Sequence, residues 1–251
     1  MDNNVRRFGA LIPPGNVAIE RELPPLLPPG VVMNVNRLSR PGKGVRKAES
    51  LLGMADSIER AAHDMALVEP ELILYACTSG SFIIGLGREH EIAERIAAHT
   101  GVPSVTTSTA VISALRAVNA RRVFMVTPYP DDINLHEVEF FNHYGIEVPA
   151  WDAFRCEDSA GNRAIPSERV RDMILDHAAD VAAADAVFIS CTNLLSLDQI
   201  VGLEQRLGKP VVSSNQSSLW AALQAMKIDT SGIAAGSLFG CKCDIAVARP
   251  A

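Results

Sequence analysis

The sequence predicts an α/β protein of two pseudosymmetric halves, each a four-stranded parallel doubly wound sheet, with the active site in the cleft between them. Three observations carry this expectation. The chain repeats itself, strand and helix alternate throughout, and the candidate strands are short, uninterrupted apolar runs. The repeat is plainest in LILYACTSG (72–80) and AVFISCTNL (186–194), which deliver Cys77 and Cys191 to the same place 114 residues apart. VRRFGALIPPGN (5–16) likewise lines up with ARRVFMVTPYPD (120–131), so that Pro13 falls on Pro128 and Asn16 on Asp131. A solenoid repeat is far shorter, about 20–50 residues. This period is that of a duplicated half-domain.

Taken in order, the first strand falls at 8–12 and is stopped by Pro13-Pro14-Gly15. A helix near 17–27, a strand at 31–36 and a helix near 45–66 follow. The third strand, 71–77, ends in Cys77. A helix at 88–99, a strand at 103–107 and a helix at 109–118 complete the half. The second half offers strands at 122–127, 146–150, 186–191 and 210–214, with helices near 132–143, 166–182, 197–207 and 216–227. Runs such as LILYA (72–76) and AVFIS (186–190) suit parallel strands covered on both faces. The alternation implies right-handed βαβ units. The halves divide as 1–117, with a returning segment 228–251, and 118–227.

Composition narrows the function. The chain has 251 residues, 48% hydrophobic and 21% charged, as in an ordinary globular enzyme. Its net charge is −6 and no Lys/Arg run exceeds two, which argues against nucleic acid. No apolar stretch reaches the ~18–20 residues that span a bilayer, and residues 1–4 lack an apolar signal core, so a cytoplasmic location without membrane contact is expected. Five cysteines without scaffold spacing read as thiols in a reducing compartment. Cys241 and Cys243 form a C-x-C without a second pair, so no metal is expected there. Gly85-Leu86-Gly87 is followed by His90 and is not a dinucleotide fingerprint, and no phosphate loop is present. No cofactor is expected.

In open parallel sheets, ligands bind outside the carboxyl ends of the strands. Cys77, Cys191, Asn16, Tyr129 and the turns Thr107-Ser108 and Ser214-Asn215 converge there. A strand-end cysteine leading into a helix faces backbone N–H groups that favour thiolate. Two opposed thiols can move a proton, or add and release a carbon nucleophile. The bland reading, two buried small hydrophobes, suits one cysteine better than a matched pair. Thr78, Ser79, Thr192, Asn193, Ser108, Thr109, Asn215 and Gln216 are neutral donors that suit a carboxylate, although such residues also cap helices. Tyr129, held between prolines, can donate its phenol to a substrate oxygen.

Two four-stranded halves, each ending its third strand in cysteine, resemble the cofactor-independent Asp/Glu racemase superfamily. The opening I-P-P-G-N-V-A-I-E-R-E-L-P (12–24), Y-A-C (75–77) and T-P-Y (127–129) resemble maleate cis–trans isomerases within it. The resemblance implies Cys77 as nucleophile, Cys191 as proton donor or second thiol, and Asn16, Tyr129 and Asn162 as contacts to substrate oxygens. Thr78-Ser79-Gly80-Ser81-Phe82, 100–118 and 194–214 are similar to arylmalonate decarboxylases, which keep the second cysteine and carry glycine at the first. The expectation is therefore an isomerase of a small carboxylate partner, maleate-type, forming a homo-oligomer. A two-thiol racemase, a decarboxylase using Cys191 and a non-catalytic carboxylate-binding protein remain as alternatives.

Overall fold

The protein is described from a computed structural model covering residues 5–40 and 48–250. The first half runs β1 (Arg6–Ile12), α1 (Ala18–Glu22), β2 (Val31–Arg37), α2 (Ala48–Leu52), α3 (Ile58–Ala66), β3 (Leu72–Tyr75), α4 (Thr78–Phe82), α5 (His90–Thr100), β4 (Ser104–Thr106) and α6 (Thr107–Ala117). The second runs β5 (Arg122–Thr127), α7 (Asp131–His143), β6 (Glu147–Ala153), α8 (Ser159–Arg163), α9 (Ser167–Asp176), α10 (Ala178–Ala183), β7 (Ala186–Ile189), α11 (Leu197–Leu207), β8 (Val211–Ser213) and α12 (Ser214–Ala225). The sheets have the same order, β2-β1-β3-β4 and β6-β5-β7-β8, and every named pairing is parallel. The predicted architecture is therefore the observed one.

The reason lies in the strands. All four residues of β3 and all four of β7 are buried, as continuous apolar runs between helical layers must be. In register, β3 pairs Tyr75 with Leu11 and β7 pairs Ile189 with Val126. Each cysteine lies two residues beyond, where the sheet ends and backbone groups must find new partners.

The halves meet through helices. Thr107 Oγ1 on α6 lies 3.0 Å from Ser218 Oγ on α12. Phe82 of α4 packs on Phe140 of α7 with ring centroids 5.9 Å apart. The buried apolar residues of both halves form one continuous core that includes both cysteines. At the far edge of the first sheet, Ser104 and Ala248 exchange 2.9 Å backbone bonds as an antiparallel bridge.

Three local expectations need correction. The helix read over 45–66 has its first residues, 45–47, outside the described residues; the rest divides into α2, a 3₁₀ turn at Gly53–Ser57 and α3. The helix read over 166–182 breaks at His177, whose backbone (φ −98°, ψ 38°) leaves helical geometry between α9 and α10. Two helices not expected from the sequence, α4 and α8, are five residues each and rich in Gly, Ser and Asn, which weaken any helical pattern.

Candidate active site

The cleft between the halves holds a small, largely closed cavity of about 20 Å³. The first half lines it with Pro13, Asn16, Arg40, Leu51, Cys77, Thr78 and Ser79, and the second with Tyr129, Ser159, Cys191, Thr192 and Asn193. That volume holds about one water. A wider groove of about 310 Å³ adjoins it and shares Pro13, Arg40 and Ser159.

Cys77 is the N-cap of α4. Its backbone is extended (φ −148°, ψ 109°), and its sulfur accepts from Gly80 N at 3.3 Å. The glycine is required there: a Cβ at position 80 would lie 2.8 Å from the Tyr75 hydroxyl and 2.9 Å from Cys77 Sγ. Burial holds the Tyr75 phenol well above its ordinary pKa, and charge on the Cys77 sulfur adds to the effect. Tyr75 therefore stays neutral beside that sulfur.

Cys191 is built differently. A turn separates it from α11, which begins at Leu197 where the sequence predicts a helix, whereas α4 follows Cys77 directly. Cys191 has φ +96°, a region that side chains rarely occupy. Its sulfur accepts from Asn193 N at 3.3 Å and from Asn162 Nδ2 at 3.5 Å. Asn162 comes from α8, whose first turn is capped by Asp158 through Gly161 N at 2.8 Å. The structure thus brings to Cys191 an amide that the sequence pointed to only by resemblance.

Several expected donors are engaged in holding the halves together. Asn16 Nδ2 donates to Thr192 Oγ1 at 2.9 Å, and Asn16 Oδ1 accepts from Ile19 N at 3.3 Å. Thr192 Oγ1 donates in turn to Ala76 O at 3.1 Å. Asn193 Oδ1 accepts from Val17 N at 3.0 Å, while its Nδ2 donates to Gly15 O at 3.2 Å. Thr78 Oγ1 donates to Ser214 Oγ at 2.9 Å. Ser79 and Tyr129 line the cavity and are almost fully buried. The Tyr129 hydroxyl lies 3.5 Å from Ser190 Oγ. Of the other neutral donors, Ser108 bonds Ser81 and Thr109 N bonds the α6 cap Thr106. Gln216 completes the α12 capping box with Ser213.

Ser214, expected at the strand ends, takes a role the sequence did not show, and two further contributors, Glu22 and Arg40, were assigned none beforehand. Ser214 Oγ accepts from Cys191 N at 3.0 Å as well as from Thr78, so one hydroxyl ties both cysteine turns. Its signal was its place in the repeat, opposite Thr107 at the start of α6. Glu22 reaches across the halves to accept from Ser196 N at 2.6 Å, Leu197 N at 2.9 Å and Asn215 Nδ2 at 2.6 Å. Burial raises its pKa against the pull of those donors. Arg40 puts a cation into a wall expected to carry only neutral donors. Among the described residues no cluster of three or more His, Cys, Asp or Glu could hold a metal, and no helix is long and apolar enough to cross a membrane.

A family profile for arylmalonate decarboxylase matches residues 8–239. The maleate isomerase of Nocardia farcinica is 30% identical over 242 residues, covering 93% of this chain and 95% of that enzyme. A solved structure of the Nocardia farcinica maleate cis–trans isomerase, in a cysteine-to-serine variant with a covalently bound succinylcysteine intermediate, aligns with a TM-score of 0.86 at 28% identity. It covers 94% of this chain and 98% of its own. The maleate isomerase Iso of Pseudomonas putida S16, in a cysteine-to-alanine variant with maleate, aligns with a TM-score of 0.88 at 26% identity, covering 98% and 100%.

Proposed function

The chain belongs to the arylmalonate decarboxylase family, and we propose that within it this protein converts maleate to its trans isomer through a covalent adduct on Cys77. It is a cysteine-based isomerase of a small carboxylate. The observation that carries the reading is the meeting of two thiols, from equivalent strand ends, in one cavity between the halves.

In the proposed reaction the Cys77 thiolate attacks one alkene carbon and forms a C–S bond. The alkene electron pair moves toward the carboxylate on the neighbouring carbon. Cys191 gives its proton to that carbon, leaving a succinyl thioether on Cys77 and a thiolate at Cys191. The former double bond is now single and rotates. Cys191 takes the proton back, the C–S bond breaks with its electron pair staying on sulfur, and the trans diacid leaves with the Cys77 thiolate and the Cys191 thiol restored. Atoms and charge balance without any co-reactant. Gly80 N–H supports charge on one sulfur, and Asn193 N–H with the Asn162 amide supports it on the other. Tyr129, Asn16, Ser79, Thr78, Thr192 and Asn193 present a neutral polar wall against which a carboxylate is held, several of them by fixing its shape.

The test is NMR of maleate in deuterated water. Olefinic maleate signals should give way to those of the trans diacid. Unchanged maleate together with decarboxylation of an aryl malonate would instead favour the family's decarboxylase chemistry, to which the polar turn Thr78–Ser81 is similar. We further place the enzyme in the cytoplasm as a homo-oligomer, to be checked by fractionation and light scattering.

A further inference from the structure

Among the described residues, Arg40 is the one formally charged side chain lining the cavity between the thiols. It is placed there by the first half's own framework. After β2, Leu38 is buried, Ser39 N donates to Ser57 Oγ at 2.9 Å, and that hydroxyl lies 3.2 Å from Ser39 O. The chain is thus pinned immediately before Arg40. The guanidinium is oriented by Nε donating to Ser50 Oγ at 2.8 Å, beside Leu51, which also lines the cavity. Arg40 faces the adjoining outer groove too, with Arg163 and Asp158. The second half has no counterpart. The arginine after β6, Arg155, meets Asp131 at 2.9 Å and Asp152 at 3.3 Å; neutral Ser159 lines the cavity on that side, with Asn162 on the Cys191 sulfur.

A nearly closed site made of neutral donors can hold one carboxylate, but a second negative charge adds a large desolvation cost. A guanidinium in the wall offsets it, and its planar fork matches a carboxylate. We propose that Arg40 is a specificity-determining residue that selects dicarboxylates by pairing the second carboxylate, so that monocarboxylates of the same size bind weakly. The assignment rests on the isomerase reading for the reaction, but it concerns binding and can be tested without turnover.

The experiment measures protection of the cavity thiols from iodoacetamide, followed by intact mass, with succinate as an unreactive dianion and butyrate as a monoanion. Wild type should be protected by succinate at much lower concentration than by butyrate. Arg40→Gln should raise the half-protecting succinate concentration on the order of tenfold to a hundredfold, the range for a charged hydrogen bond, and move butyrate by less than about twofold. Arg40→Lys should fall between the two proteins. Equal shifts for both anions would mean that Arg40 only supports the wall, and no shift would mean that it does not meet the ligand; either overturns the proposal. Maleate turnover, followed separately on wild type, separates the two claims. No turnover with Arg40-dependent succinate protection removes the isomerase reading alone. Turnover with Arg40-independent protection removes this inference alone.

Discussion

The turn after β3 and the turn after β7 occupy the same place in two sheets of identical strand order, yet they present their thiols differently. Cys77 sits on relaxed extended backbone and caps α4. Cys191 sits at φ +96° with no helix until Leu197, and draws a side-chain amide from α8. Duplication thus placed the sulfurs, while divergence of the loops gave each its surroundings. A pair of identical turns would suit a symmetric two-base exchange of one proton. A capped thiol facing a differently supported one suits a nucleophile and an acid.

The largest expected effect tests that division of labour. Cys77→Ala should reduce maleate turnover to background, since no other group supplies the nucleophile. Cys191→Ser should lower turnover by about 10²–10⁴-fold, the usual worth of a positioned acid, yet accumulate protein heavier by one substrate. Full activity in Cys77→Ala would break the comparison and move the chemistry to Cys191.

Next comes the hydroxyl that joins the two turns. Ser214→Ala leaves the buried Cys191 N–H without its acceptor and should cost about 1–3 kcal/mol in urea unfolding. A loss below a few tenths would show that the turns are not coupled through it.

A smaller effect separates the backbones. Glycine relieves positive φ, worth about 1–3 kcal/mol, but only adds chain entropy at an extended position. Cys191→Gly should therefore be about 1 kcal/mol or more less destabilising than Cys77→Gly, though both are inactive as isomerases. Equal destabilisation would deny the backbone asymmetry.

The smallest effect lies far from the site. His63 and His177 are also 114 residues apart. His63 meets His99 edge to face, whereas His177 sits 3.1 Å from both Asp180 and Asp152. Its hydrogen bond to Asp180, then Asp152, raises its pKa against partial desolvation. The folded chain then keeps a proton that the unfolded chain releases. The stabilisation is fully present below the unfolded value of 6.5 and is lost as pH rises through the raised folded value. His177→Gln should flatten that decline in a melting series from pH 6 upward; an unchanged slope would assign it to other groups.

The eight strands and both cysteines were legible because burial on two faces demands an unbroken apolar run, and a repeat doubles every such signal. Asn162 was legible only by resemblance. SAGNR (159–163) contains too many turn formers to announce a helix, and its cap Asp158 acts through geometry alone. Arg40 was not legible at all, for a surface arginine and a cavity arginine look alike in sequence. Glu22 lies in the opening stretch 12–24 that carries the resemblance, but its role was not legible, because its partners Ser196, Leu197 and Asn215 lie over 170 residues away.

By itself, then, the sequence determined the duplicated α/β plan, the strand ends that carry the thiols and the neutral character of most nearby donors. These follow from local periodicity and from the repeat, which act over a few residues or act twice. Tertiary structure alone decided which turn is relaxed and which strained, that Ser214 and Glu22 tie the halves, and that Arg40 enters the cavity wall. Those outcomes depend on how the surfaces of the two halves meet, where each buried polar group takes whatever partner the other half presents.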